Sequence, residues 1–109
     1  TRFLDVKIDS IAASNEFDID IPNVFSLDQN YPNPFNPVTV IRFQLPEDSQ
    51  VSLIVYDLLG REVSALVQDQ KLAGYHQVNF DASNLASGIY IYRIQAGSFV
   101  QTKKMMLIK

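Results

Sequence analysis

The chain has 109 residues, 47% of them hydrophobic, with a formal net charge of −3 and no cysteine. A length and apolar content of this order fit one small domain, and the lack of cysteine leaves out disulfide staples, thiolate metal sites and cysteine nucleophiles. No stretch approaches the roughly 18–20 apolar residues of a membrane helix, and no charged-then-apolar leader opens the sequence. The first residue is Thr1 rather than Met, so the chain is expected to be a fragment of a longer precursor, with any export signal upstream.

Charge is unevenly spread. Residues 1–81 hold all twelve acidic residues and five basic ones, whereas residues 82–109 hold Arg93, Lys103, Lys104 and Lys109 and no acid. A basic end can mark nucleic-acid binding, but the sequence pI is about 4.9. Lysines on a last strand more commonly keep a sheet edge soluble and unpaired.

In chain order, residues 1–24 form a linker or the last strand of a preceding domain. The alternation of Leu4, Val6 and Ile8 with charged residues is the half-buried strand pattern; residues 11–21, acidic and rich in small side chains, are expected to be tether. A single domain then runs from residue 25 to 109. It opens on Asn30-Tyr-Pro-Asn-Pro-Phe-Asn-Pro37. Three prolines in this short run remove amide donors and rule out a helix or a central strand, and a prolyl bond here can be cis. Tyr31 and Phe35 are expected to turn inward and pin the segment to the core.

From Val38 the period becomes two. Thr39, Ile41, Phe43 and Leu45 share one face, and Arg42 and Gln44 the other. Pro46-Glu-Asp-Ser49 makes a turn into a second strand, in which Val51, Leu53 and Val55 alternate with Ser52, Ile54 and Tyr56. Asp57-Leu-Leu-Gly60 is a turn with Gly60 at positive φ. In Arg61–Val67, the spacing of Val63, Leu66 and Val67 suits either a strand or one helical turn, and a short strand is the expectation. Gly74–Phe80 and Gly88–Ile94 read as strands, separated by a polar turn at Asp81–Asn84 that Asp81 or Ser83 can cap. Ala96-Gly97-Ser98 returns the chain into a last strand, Phe99–Ile108. Six or seven short strands with no long helix predict an all-β, antiparallel sandwich.

Chemistry is sparse. The one histidine, His76, could be set beside Ser83 and Asp57 as a nucleophilic triad, but a packing or hydrogen-bonding histidine is the simpler reading. One histidine without cysteine makes no zinc site. Asp18, Asp20 and Asp81 could contribute to calcium, although the loop of spaced carboxylates is missing. No phosphate-binding glycine loop occurs. No catalytic, metal or cofactor residue is therefore assigned. A carbohydrate-binding platform of Tyr75, Tyr90 and Tyr92 is the alternative, but aromatic residues at period two are usually core.

Five blocks carry a resemblance. They are Asn30–Pro37, Val51–Gly60 continuing through Arg61-Glu-Val63, Gly74-Tyr-His76, Leu85-Ala-Ser-Gly-Ile-Tyr90 and Lys103-Lys-Met-Met-Leu-Ile-Lys109. In this order, from about Phe25 to the end, they resemble the type A C-terminal sorting domain of type IX secretion cargo. The fold also looks similar to the immunoglobulin-like domain of flagellar hook-capping proteins, which implies an immunoglobulin-like β-sandwich of about seven short strands. The resemblance implies a cargo that folds in the periplasm, is recognised through this domain by the outer-membrane translocon, and reaches the cell surface or medium. In many members a surface sortase then removes the domain and anchors the cargo. It implies a structural motif at Tyr31, Pro32, Asn33, Pro34, Gly60, Gly88 and Tyr90, and recognition by the translocon at Lys103, Lys104, Met105 and Lys109. The sparse chemistry and acidic pI lead to the expectation of no enzyme activity, no cofactor and no nucleic-acid partner. The competing reading is an accessory carbohydrate- or protein-binding module of a secreted enzyme.

Overall fold

The computed structural model describes residues 21–109; the expected strand at residues 3–9 and most of the expected tether lie outside them. Seven strands follow one another: β1 (Ser26–Leu27), β2 (Val38–Leu45), β3 (Ser49–Tyr56), β4 (Glu62–Lys71), β5 (Gly74–Asp81), β6 (Gly88–Ala96) and β7 (Phe99–Leu107). They form a three-stranded sheet in the order β1-β2-β5 and a four-stranded sheet in the order β4-β3-β6-β7. Every pairing between named strands is antiparallel. The all-β sandwich read from the sequence is the fold.

Period two explains why the sheets close on one another. Thr39, Ile41, Phe43 and Leu45 of β2 are buried on one face, opposite Val51, Leu53 and Val55 of β3 and Tyr90, Tyr92 and Ile94 of β6. Each large apolar side chain taken from water contributes about 1.5–3 kcal/mol, so one inward face per sheet is enough to hold two layers together. Gly60, at φ 85°, closes the β3–β4 turn, and Gly97, at φ 59°, the β6–β7 hairpin; both lie in the left-handed region that a Cβ disfavours. Asp57 organises the first turn by accepting from the backbone amides of Leu59 and Arg61 and from the Arg61 guanidinium. The Arg61 amide above all holds its carboxyl below the usual range.

β4 runs ten residues to Lys71, longer than the expected short strand, and it is irregular. Its register against β3 steps between Leu53 and Ile54 and again between Val55 and Tyr56. Leu66 and Val63 are the extra residues at those steps, and both pack against the core. Two β-bulges thus re-aim side chains that a regular strand would point outward. The same kinks make β4 a poor template for edge pairing.

The Asn-Pro segment departs from expectation at one ring. Phe35 is 2% exposed and packs against Phe80, with ring centroids 6.1 Å apart. Tyr31 instead is 74% exposed. Its anchor is the backbone, whose N–H and C=O both pair with Val40 at 3.0 Å, so the ring is free to face solvent. Asn30 is the residue that turns inward, 2% exposed. Its Nδ2 donates to Pro32 O and to the buried Thr39 Oγ1, which in turn donates to Pro32 O. The Tyr31–Pro32, Asn33–Pro34 and Asn36–Pro37 bonds are all cis.

Candidate recognition surface at the terminal strand

β7 is the outer strand of the four-stranded sheet, and its composition explains how it sits there. Met105 and Leu107 face the core, 1% and 0% exposed. Alternation then sends Val100, Thr102, Lys104 and Met106 to the outer face, all of them exposed. Because successive backbone groups also alternate sideways, these even-numbered residues present their amides and carbonyls to the edge.

That edge is only partly open. The segment carrying Phe25 to Phe35 runs beside it. Phe25 stacks on Phe99 at the start of β7, ring centroids 5.2 Å apart. Gln29 Nε2 donates to Lys104 O at 2.7 Å. The Met106 amide donates to Asn33 Oδ1 at 3.0 Å. Phe35 then makes a parallel bridge to Leu107, its amide donating to Met106 O and its carbonyl accepting from the Ile108 amide. The unpaired edge expected from the lysines is therefore open only in its N-terminal half, since the C-terminal half is covered by the Asn-Pro motif. Sequence reasoning missed Gln29 and the Asn33 side chain as its latches. The high density of asparagine among the prolines was the available signal, since such side chains bond backbone that regular structure cannot satisfy.

The residues assigned from the sequence fall into two groups. Lys103 is half-buried and Lys104 exposed, while Met105 is core. Lys109 is tied down: its amide donates to Ser87 Oγ at 3.0 Å and its Nζ to Ser83 O at 2.6 Å. Its charge is also among the influences that lower the Asp81 carboxyl, after the hydroxyl and amide of Ser83. Gly88 opens β6 at φ 152°. Tyr90 is buried and donates to Ala86 O at 2.6 Å. Pro32 and Pro34 flank the Asn33 latch on an exposed rim. The structure therefore brings Asn33 and Lys104 together. Both line a shallow pocket of about 240 Å³ with Ile89, Met105 and Met106.

Tyr92 sits beneath this surface. Its hydroxyl donates to Asp28 O at 2.7 Å and accepts from the Asn30 amide at 2.8 Å, fastening the start of the motif to the central strand. Burial pushes its phenol up to about 12.

The residues weighed for other chemistry are dispersed. His76 stacks on Phe43 and bonds Leu72 O. Ser83 bonds Asp81, and Asp57 bonds Arg61. Of the three tyrosines considered for a sugar platform, Tyr90 and Tyr92 are buried and only Tyr75 is exposed. Among the described residues no group of three or more His, Cys, Asp or Glu side chains could hold a metal, and no helix is long and apolar enough to cross a membrane.

A seven-stranded sandwich whose last strand is latched by an Asn-Pro motif defines a compact β module built around its own C-terminal segment. The chain belongs to the family of secretion system C-terminal sorting domains, whose model matches residues 29–109. It is thus a C-terminal secretion signal of type IX secretion cargo. No curated protein gives a match. Two solved structures from Porphyromonas gingivalis are similar in fold. One is PorZ, an essential bacterial surface component of the type IX secretion system, at TM-score 0.52 and 19% identity over 78% of this chain. The other is dimeric latent PorU, at TM-score 0.59 and 20% identity over 94% of this chain. The chain spans only 11% and 10% of those proteins.

Proposed function

We propose that this domain is read by the outer-membrane translocon of the type IX system and carries an N-terminal passenger from the periplasm to the cell surface or medium. The observation that carries this reading is the latch of the Asn-Pro motif on β7, through Gln29, Asn33 and Phe35. Two distant family blocks are held there as one surface, with Lys104 between them. Lys103 and Lys104 offer charge to a receptor, whereas Met105 and Lys109 act by fixing the strand. Domains of this kind are generally non-catalytic, and activity belongs to the passenger. A sortase that cuts the tether within residues 11–24 would complete the route.

Deleting Phe99–Lys109 from the precursor tests the reading. The passenger is expected to accumulate in the periplasm, measured by fractionation and immunoblotting. Normal delivery of the truncated precursor would refute it. The reading as a sugar-binding module predicts instead that the intact domain retains polysaccharide in a pull-down, with delivery unchanged by the deletion.

A further inference from the structure

The partly covered edge of β7 has a consequence for what can dock on it. Between the Phe25–Phe99 stack at one end and the Gln29–Lys104 bond at the other, the outward backbone groups are the amides and carbonyls of Val100 and Thr102 and the amide of Lys104. None of these has a backbone partner among the described hydrogen bonds outside the strand ladders. This window is five residues long, about 13–17 Å at the rise of a strand.

Basic side chains predominate on its two strands, and Asp28, exposed on the segment between Phe25 and Gln29, is the one carboxylate of that segment. β6 and β7 carry Arg93, Lys103 and Lys104 and no carboxylate. Arg93 lies directly across from Thr102 and Lys104 across from Ile91. The described ion pairs are Arg61–Asp57 and Lys71–Asp69, and neither includes these three cations. At the closed end, the pocket of about 240 Å³ brings Lys104 beside the apolar walls of Ile89 and Met106. Asn33 engages only its Oδ1 in the described bonds.

We propose that Val100–Lys104 accepts a short, extended, acidic segment of the receiving protein as an added strand. A carboxylate of that segment lies by Lys104 and Asn33 Nδ2, and an apolar side chain enters the Ile89–Met106 pocket. Backbone pairing supplies the affinity and the pocket the selection, as in other strand additions; opposite charge speeds encounter and fixes register. The latches at both ends set a limit: a segment of more than about five paired residues meets Asn33 or Phe25. This inference rests on the sorting reading and narrows it to one half of one strand edge.

The test uses the full 109-residue chain fused to an exported reporter in a bacterium that carries the type IX system. Thr102→Pro removes an outward amide while leaving the β6–β7 ladder intact, a position where an edge strand tolerates proline. Lys104→Glu reverses the charge, and Asn33→Asp keeps the acceptor for the Met106 amide while deleting the Nδ2 donors. Each variant is first checked for a wild-type circular dichroism spectrum, so that Lys104→Glu and Asn33→Asp remain informative if Thr102→Pro misfolds. Folded variants are expected to lower the ratio of surface to periplasmic reporter by about tenfold, the change that follows from losing roughly one well-made contact. Wild-type delivery by the folded variants overturns the docking proposal alone. Retention of the unmutated fusion in the periplasm sinks the sorting reading and this proposal with it. A purified chain that dimerises in sedimentation and becomes monomeric on Thr102→Pro, with delivery unchanged, overturns it in favour of a second copy on the edge.

Discussion

Replacing Phe35 by alanine is expected to lower the unfolding free energy by about 3–5 kcal/mol, the range for truncating a buried phenylalanine. The ring is 2% exposed, lies against Phe80, and belongs to the residue whose backbone closes the C-terminal end of β7. A domain of this size has only about 5–15 kcal/mol to lose, so the variant is expected to be largely unfolded in moderate urea. Tyr31→Ala, four residues earlier, is expected to change stability by no more than about 0.5 kcal/mol, since that ring is 74% exposed. Urea unfolding of the two variants checks the contrast. Equal losses would mean that both rings are buried.

The second large effect concerns the Tyr92 hydroxyl. Tyr92→Phe leaves the buried Asn30 amide without its acceptor and the part-buried Asp28 O without its donor. Unsatisfied buried groups of this kind cost about 1–3 kcal/mol, and the variant is expected to lose that much at pH 7. The pH dependence has a definite sign. The phenol of the folded chain is raised from its ordinary 10 to about 12, so the folded state holds the proton more tightly than the unfolded state. Its contribution is complete below pH 10 and is lost as pH rises from about 10 to about 12. The gap in stability between the native chain and Tyr92→Phe should therefore shrink over that window. A gap that stays constant to pH 12 would show that the hydroxyl is not shielded.

Much of the fold was legible because one-sided burial writes itself as alternation. β2 alternates strictly, and β3 does so except at Ile54, which is buried on the opposite face; the core faces of Thr39–Leu45 and Val51–Val55 follow from that alternation, whereas β6 is marked by its β-branched and aromatic content. β4 resisted for a physical reason. Val63, Leu66 and Val67 fall at helical spacing because two bulges insert a residue each time the strand turns a side chain back to the core. A bulge is a tertiary accommodation, and nothing local distinguishes it from a helical turn.

The recognition surface was half legible. The basic terminal strand and the Asn-Pro motif stood out as separate blocks, but their contact depends on a chain path that no local pattern encodes. Aromatic rings in a Pro-rich segment suggested two anchors, Tyr31 and Phe35. The structure uses Phe35 together with Asn30, a polar residue that can be buried because its own amide group satisfies Pro32 and Thr39. Lys109, assigned through the resemblance to translocon recognition, donates its ammonium to the Ser83 carbonyl, a contact between residues 26 apart in sequence.

The claim beneath all of this is that residues 25–109 suffice to send an attached protein across the outer membrane. Fusing that stretch to an unrelated periplasmic enzyme, in a bacterium with the type IX system, and assaying whole cells and medium against the periplasmic fraction measures it directly. Most of the enzyme activity is expected outside the outer membrane, and in the periplasm when the translocon is inactivated. Activity confined to the periplasm in both strains, with the fused domain folded, would contradict it.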